Sequence, residues 1–157
     1  MSENKIYFKF DGKTYGGNKG DTIAAALLRN EVKLVGRSFK YHRPRGIYTC
    51  GIEEPNALVQ ILNEHNEPNV RATVKRIYDG MVIKSQNRWP SLKRDFGSIN
   101  NILSPIFSAG FYYKTFMGPK SFWKNVYEPL IRRTAGLGKP PKEFKSKSTH
   151  LHHNVDI

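Results

Sequence analysis

The amino-acid sequence predicts an α+β fold, a mixed sheet with one packed helix, followed by a mainly helical extension. Three observations carry this expectation. An alternating hairpin opens the chain, an alanine-rich amphipathic stretch follows it, and β-branched runs return only after a long loop of glycine, proline and cations.

The first element runs from Ile6 to Phe10, and Lys13 to Gly17 returns beside it. Asp11-Gly12 between them is a two-residue pair that tolerates the positive φ a tight hairpin demands. The helix comes next. Gly20-Asp21-Thr22 offers a cap, and Ile23, Ala24, Leu27 and Leu28 share one face at helical spacing. Ala24-Ala25-Ala26 adds high intrinsic propensity, so about ten helical residues are expected. From Val35 to Gly51 the composition is that of a loop. Ala57 to Leu62 and Val70 to Ile77 then read as strands, and Asp79-Gly80 turns the chain into a last strand over Met81 to Lys84.

Past residue 88 the texture changes. The chain divides into a sheet domain (1–88), a helical and aromatic docking extension (89–141) and a polar linker (142–157). Ser91 can cap a helix whose apolar positions are Leu92, Phe96, Ile99 and Leu103. Phe107 to Met117, rich in aromatics and poor in charge, reads as an extended loop buried against another surface. Ser121 then precedes Phe122, Trp123, Val126, Tyr127, Leu130 and Ile131 at helical spacing, with Pro129 expected to break or kink that helix near Glu128. So much apolar surface on so small a domain suits a module clamped to the rest of a larger protein.

Composition bounds the function. The 157 residues, 38% of them hydrophobic, support one modest core plus an appendage. No apolar run approaches the ~20 residues of a membrane span. The opening M-S-E-N-K-I-Y-F-K-F has no signal-peptide core, so the expectation is a cytoplasmic protein without a membrane partner. A single cysteine, Cys50, excludes an internal disulfide framework and reads as a buried or half-buried small side chain. The formal charge of +13 raises the alternative of a basic nucleic-acid-binding module. Zinc-finger spacing, RNP-type aromatics and a basic region leading into heptads are all missing, and a module covered by an acidic partner would be equally basic. The expectation is therefore no nucleic-acid partner.

Catalytic signatures are missing too. The sequence has no glycine-rich nucleotide loop, no H-E-x-x-H and no G-x-S-x-G, so no catalytic residue is assigned. Ser121 to Lys124 spells S-x-x-K without its companion motifs and reads as helix. His150, His152 and His153 sit in a polar tail with no carboxylate or thiolate nearby to complete a metal set. Glu53 and Glu54 are adjacent, so in a regular strand they face opposite ways and form no carboxylate pair. The densest constellation is Gly36 to Gly46, with four cations and a histidine stiffened by Pro44. Lys40, His42, Arg43 and Arg45 are candidate contacts for an anionic group, either a cofactor phosphate or acidic side chains on a neighbour. Tyr41 or Phe39 could stack on a planar ring.

Specific words supply a further lead. The run R-S-F-K-Y-H-R-P-R-G, then E-E-P-N-A-L-V, N-V-R-A-T, Y-D-G-M-V, S-Q-N-R-W-P-S-L, F-Y-Y-K-T-F-M and P-K-S-F-W-K-N-V-Y-E-P-L-I-R-R, closely resembles the N-terminal region of the alpha subunits of heterotetrameric sarcosine oxidases. The resemblance covers residues 6 to about 138. It implies a β-grasp domain of the two-iron, two-sulfur ferredoxin-like type. Cluster-bearing relatives hold iron with a C-x4-C-x2-C loop and one distant cysteine. Laid on this sequence, those ligand positions fall at Thr49, Glu54, Ala57 and Thr73, none of them a cysteine, so no metal site is expected.

For the whole assembly the resemblance implies oxidative demethylation of sarcosine to glycine with hydrogen peroxide formation. FAD, FMN, NAD and tetrahydrofolate are the implied cofactors, none of them held by this chain alone. The implied partners are the remainder of the alpha subunit, the flavin-bearing beta subunit and the gamma and delta subunits. Asn154 to Ile157 resembles the first strand of a dinucleotide-binding domain. The expected role is a structural and docking module, inactive alone, with a 2Fe-2S electron-transfer domain of a related amine or amino-acid oxidoreductase as the alternative.

Overall fold

The structure, a computed structural model, describes residues 5–63, 66–105 and 119–134. Strands β1 (Lys5–Phe10), β2 (Lys13–Asn18), β5 (Leu58–Ile61), β6 (Glu67–Arg71) and β7 (Val82–Ser85) form one sheet in the order β2-β1-β7-β5-β6. The central β1–β7 pair is parallel and the other pairs are antiparallel, so the sheet is mixed. Helix α1 (Ile23–Arg29) packs on it. This is the mixed sheet with one packed helix that the order of elements predicts, and the β-grasp arrangement that the resemblance implies.

Each element follows from its residues. In β1, Phe8 and Phe10 are buried while Lys5, Tyr7 and Lys9 are exposed, the period of a half-buried strand. Asp11 (φ 47°) and Gly12 (φ 83°) make the turn with both residues left-handed. Asp11 also accepts from the Ser85 amide at 2.9 Å and pairs with Arg88 at 2.8 Å, tying the hairpin tip to the end of β7. Thr22 caps α1, its Oγ1 accepting from the Ala25 amide at 3.2 Å. The helix lies close on β2 because Gly17 has no side chain: a Cβ there would sit 3.1 Å from Ala26 Cβ of the helix and 2.5 Å from Ile77 Cδ1. Ile23, Ala26 and Leu27 point into a core shared with Phe8, Val35, Val59, Met81 and Ile83.

Helix α1 spans seven residues where about ten are expected, and the described residues differ more from the expected boundaries in three other places. The run from Val70 to Ile77 leaves the sheet at Arg71, because the following residues serve α1 instead. The Ala24 amide donates to Ala72 O at 2.8 Å and the Ile23 amide to Lys75 O at 2.9 Å, satisfying helix-end donors. The helix expected from Leu92 begins only with a 3-10 turn at Phe96–Ser98 and the short α2 (Ile99–Ile102). Leu92 is buried in the domain core instead, and Asp95 is buried by other contacts. Last, Pro129 does not end its helix. The chain runs from α3 (Lys120–Phe122) through a π-helical turn, Trp123–Tyr127, into α4 (Glu128–Thr134), and the Glu128 amide donates to Trp123 O. The wider turn ends two residues before Pro129, which lacks an amide proton. The expected aromatic loop over 107–117, the linker over 142–157 and the terminal histidines lie outside the described residues.

Candidate functional site

Two adjoining loops carry the polar chemistry of the domain. The first is the basic loop. Two-residue strands β3 (Gly36–Arg37) and β4 (Pro44–Arg45) pair antiparallel and pinch residues 38–43 into a compact turn. Inside it the Ser38 amide donates to Arg43 O at 2.8 Å, and Ser38 Oγ accepts from the Arg43 amide at 2.9 Å. Asn87 holds the base of the loop, donating to Ser38 O at 2.8 Å.

The four candidate residues do not share one environment. Lys40, Arg43 and Arg45 line an open pocket of about 460 Å³, with Tyr41 beside them and Gln86 and Asn87 also on its wall. Arg43 lies over the Tyr41 ring at 4.8 Å, and its Nε donates to Asn101 Oδ1 at 2.7 Å. Lys40 Nζ approaches the same ring at 5.0 Å. Arg43 and Arg45 are exposed, and neither has a carboxylate partner among the described residues. Three cations thus meet at one concave surface.

His42 stands apart from that surface. Its ring is buried, and Nδ1 lies 2.6 Å from Asp95 Oδ2. An ionised carboxylate only accepts, so Nδ1 is the donor. Asp95 also accepts from the Trp89 amide at 2.8 Å. Arg37, absent from the candidate set, completes the joint: its Nε donates to Leu92 O and its Nη1 to His42 O, each at 2.9 Å, and Nη2 also reaches Leu92 O. Only the tertiary fold exposes this role, since in sequence Arg37 is one more cation in a basic run.

The second loop, residues 48–57, is centred on Glu54. This glutamate is 1% exposed, and both of its oxygens are engaged. One accepts from the amides of Tyr48 (2.8 Å) and Thr49 (2.6 Å), the other from Asn56 (2.7 Å) and Ala57 (3.1 Å). Burial by itself would raise the pKa of this carboxyl, but the donors from Thr49, Asn56, Tyr48 and Ala57 together outweigh it and hold the group below the usual glutamate value. Glu53 belongs to an exposed 3-10 turn, Gly51–Glu53, and does not pair with Glu54. Cys50 is exposed, which corrects the expectation that it is buried or half-buried. Thr73 Oγ1 donates to Gly51 O at 2.6 Å, closing the loop against the turn after β6.

Comparison with known proteins defines the class. The chain belongs to the 2Fe-2S iron-sulfur cluster binding domain family, which matches residues 3–88, more than half of its length. Among curated relatives, the sarcosine oxidase subunit alpha of Rhizobium meliloti (strain 1021) is 58% identical over 139 residues, 88% of this chain and 14% of that protein. The sarcosine oxidase subunit alpha of Corynebacterium sp. (strain U-96) is 40% identical over 75 residues, 45% of this chain and 8% of that protein. The resemblance read from the sequence words is borne out, and the chain spans about one-seventh of the length of the first of these relatives. A crystal structure of L-proline dehydrogenase from P. horikoshii superposes on 55% of this chain and 16% of its own with a TM-score of 0.45 and 27% identity.

The family description raises the question of whether these residues fit a two-iron cluster. They do not. Such clusters are held by cysteine thiolates, with histidine as the recorded substitute. Thr49, Ala57 and Thr73 offer none of these donors, and both oxygens of Glu54 are occupied by backbone amides. The one thiol, Cys50, is a single exposed side chain. Among the described residues no group of three or more His, Cys, Asp or Glu side chains is placed to hold a metal ion. No helix among them is long and apolar enough to cross a membrane.

Proposed function

We propose that this chain serves as a structural and docking module of a sarcosine oxidase alpha subunit. In this reading it is part of a flavin-dependent complex that demethylates sarcosine oxidatively to glycine with hydrogen peroxide formation and passes the one-carbon unit to tetrahydrofolate. The module itself holds no cofactor and is inactive alone. FAD, FMN, NAD and tetrahydrofolate bind elsewhere in the complex, and the partners are the rest of the alpha subunit with the beta, gamma and delta subunits. Support comes from the 58% identity over 88% of the chain.

The observation that carries the docking role is the cluster of Lys40, Arg43 and Arg45 at one pocket, with both arginines exposed and lacking carboxylate partners among the described residues. Guanidinium groups held by a stiff loop are suited to bidentate contact with a phosphate or with acidic side chains of a neighbouring subunit. Half-exposed Phe122, Trp123, Val126 and Leu130 on the last helical segment add apolar docking surface. Replacing Arg43 and Arg45 together by alanine in the complete alpha subunit is expected to lower flavin retention or the yield of assembled complex. Normal flavin content together with normal assembly overturns the docking role.

A further inference from the structure

The loop that aligns with a cluster-binding loop is organised by an anion of its own. Four amides, from Tyr48, Thr49, Asn56 and Ala57, converge on a volume occupied by the two oxygens of Glu54. These donors come from both ends of the loop, so one carboxylate fixes the entry and the exit together. Glu54 stands at one of the four ligand positions that the family register assigns, and Thr49 and Ala57, which supply two of the amides, stand at two others. The fourth, Thr73, donates to Gly51 O and locks the loop from outside. A thiolate-ligated cluster is anionic, and backbone amides aimed at its sulfurs stabilise that charge. Here the same kind of donor set is saturated by a buried carboxylate.

We propose that Glu54 replaces an iron-sulfur cluster as the charged centre of this loop, giving a fold that is complete without metal and closed to electron relay. The charge logic excludes sharing: a cluster placed at these amides would lose their stabilisation to Glu54 and would face a like charge in a site removed from water. The local sequence suits the substitution. Pro55 removes an amide that would otherwise need a partner, and Asn56 and Ala57 then present theirs back to the carboxylate two and three residues earlier. This inference is independent of whether the arginine surface docks a partner.

The test is hydrogen exchange and acid titration of the isotope-labelled chain, followed by NMR with no iron present. The amides of Tyr48, Thr49, Asn56 and Ala57 are expected to exchange slowly, and their shifts should move together in one titration below the usual glutamate range. Glu54→Gln is expected to speed exchange at these four amides by about tenfold or more while sparing β1 and β2. Should that variant fail to fold, the titration of the unaltered protein still decides. Unprotected amides, or amides blind to the titration, overturn the proposal. So does stoichiometric uptake of iron and sulfide by the unaltered chain.

Discussion

Asp95 Oδ2 lies 2.6 Å from His42 Nδ1, and both residues are buried, so the segment after the sheet is tied to the basic loop through a contact away from water. The His42 ring also covers Gly97 so closely that a Cβ at that position would overlap the ring. Gly97→Ala is therefore expected to destabilise the chain by about 1–3 kcal/mol through overpacking. In a His42→Ala background, where the ring is gone, the same substitution should cost clearly less. Denaturant unfolding of the two singles and the double measures this, and equal costs in both backgrounds contradict the contact.

Acid sensitivity follows from Glu54. Its folded pKa is depressed, because amide hydrogen bonds outweigh the burial that would raise it. The carboxylate therefore contributes its full stability above the ordinary glutamate pKa, and that contribution fades as pH falls through the ordinary value and on through the depressed folded one. Glu54→Gln should cost about 2–3 kcal/mol at neutral pH. The gap between variant and parent should narrow in acid. A gap that stays constant as the pH is lowered contradicts the assignment.

Arg43 and Arg45 are expected to separate stability from docking. Arg43 stacks on Tyr41 and donates to Asn101, whereas Arg45 is exposed at the pocket wall with no comparable side-chain contact among the described residues. Arg45→Ala should leave stability within about 0.5 kcal/mol, while Arg43→Ala should cost about 0.5–1.5 kcal/mol. If the surface docks an anion, both variants should weaken assembly of the complete complex at low salt, on the order of tenfold, with a difference from the parent that shrinks as salt screens the charges. Thermal unfolding and an assembly titration across a salt series report the two effects. An Arg45→Ala variant that assembles normally at every salt concentration removes that residue from the surface.

Much of the fold is legible in the sequence because its signals are local. Asp11-Gly12 demands a hairpin, and Thr22 followed by Ile23, Ala24 and Leu27 demands a capped helix with one apolar face; both lie where expected. The misread boundaries have tertiary causes. Val70, Val74 and Ile77 carry strand propensity, yet α1 needs acceptors for its first amides, and residues 72–75 leave the sheet to provide them. Leu92 falls at helical spacing with Phe96, but the core claims it, and His42 holds Asp95.

The candidate site was legible in part for the same reason. Charge density marks residues 36–46, and three of the four chosen side chains do meet at one pocket. Nothing in the run distinguishes His42, whose partner lies 53 residues away. For Glu54 a local signal exists. An acid followed by proline and two residues with free amides can fold back on itself, and treating Glu53 and Glu54 as strand neighbours hides it.

The most direct test of a scaffold organised by its own carboxylate is chemical analysis of the chain purified without air. Iron and acid-labile sulfide, measured together with the visible absorption spectrum, should both fall far below stoichiometric amounts, with no charge-transfer bands, in protein whose unfolding remains cooperative. Stoichiometric iron and sulfide with a charge-transfer spectrum would contradict the account.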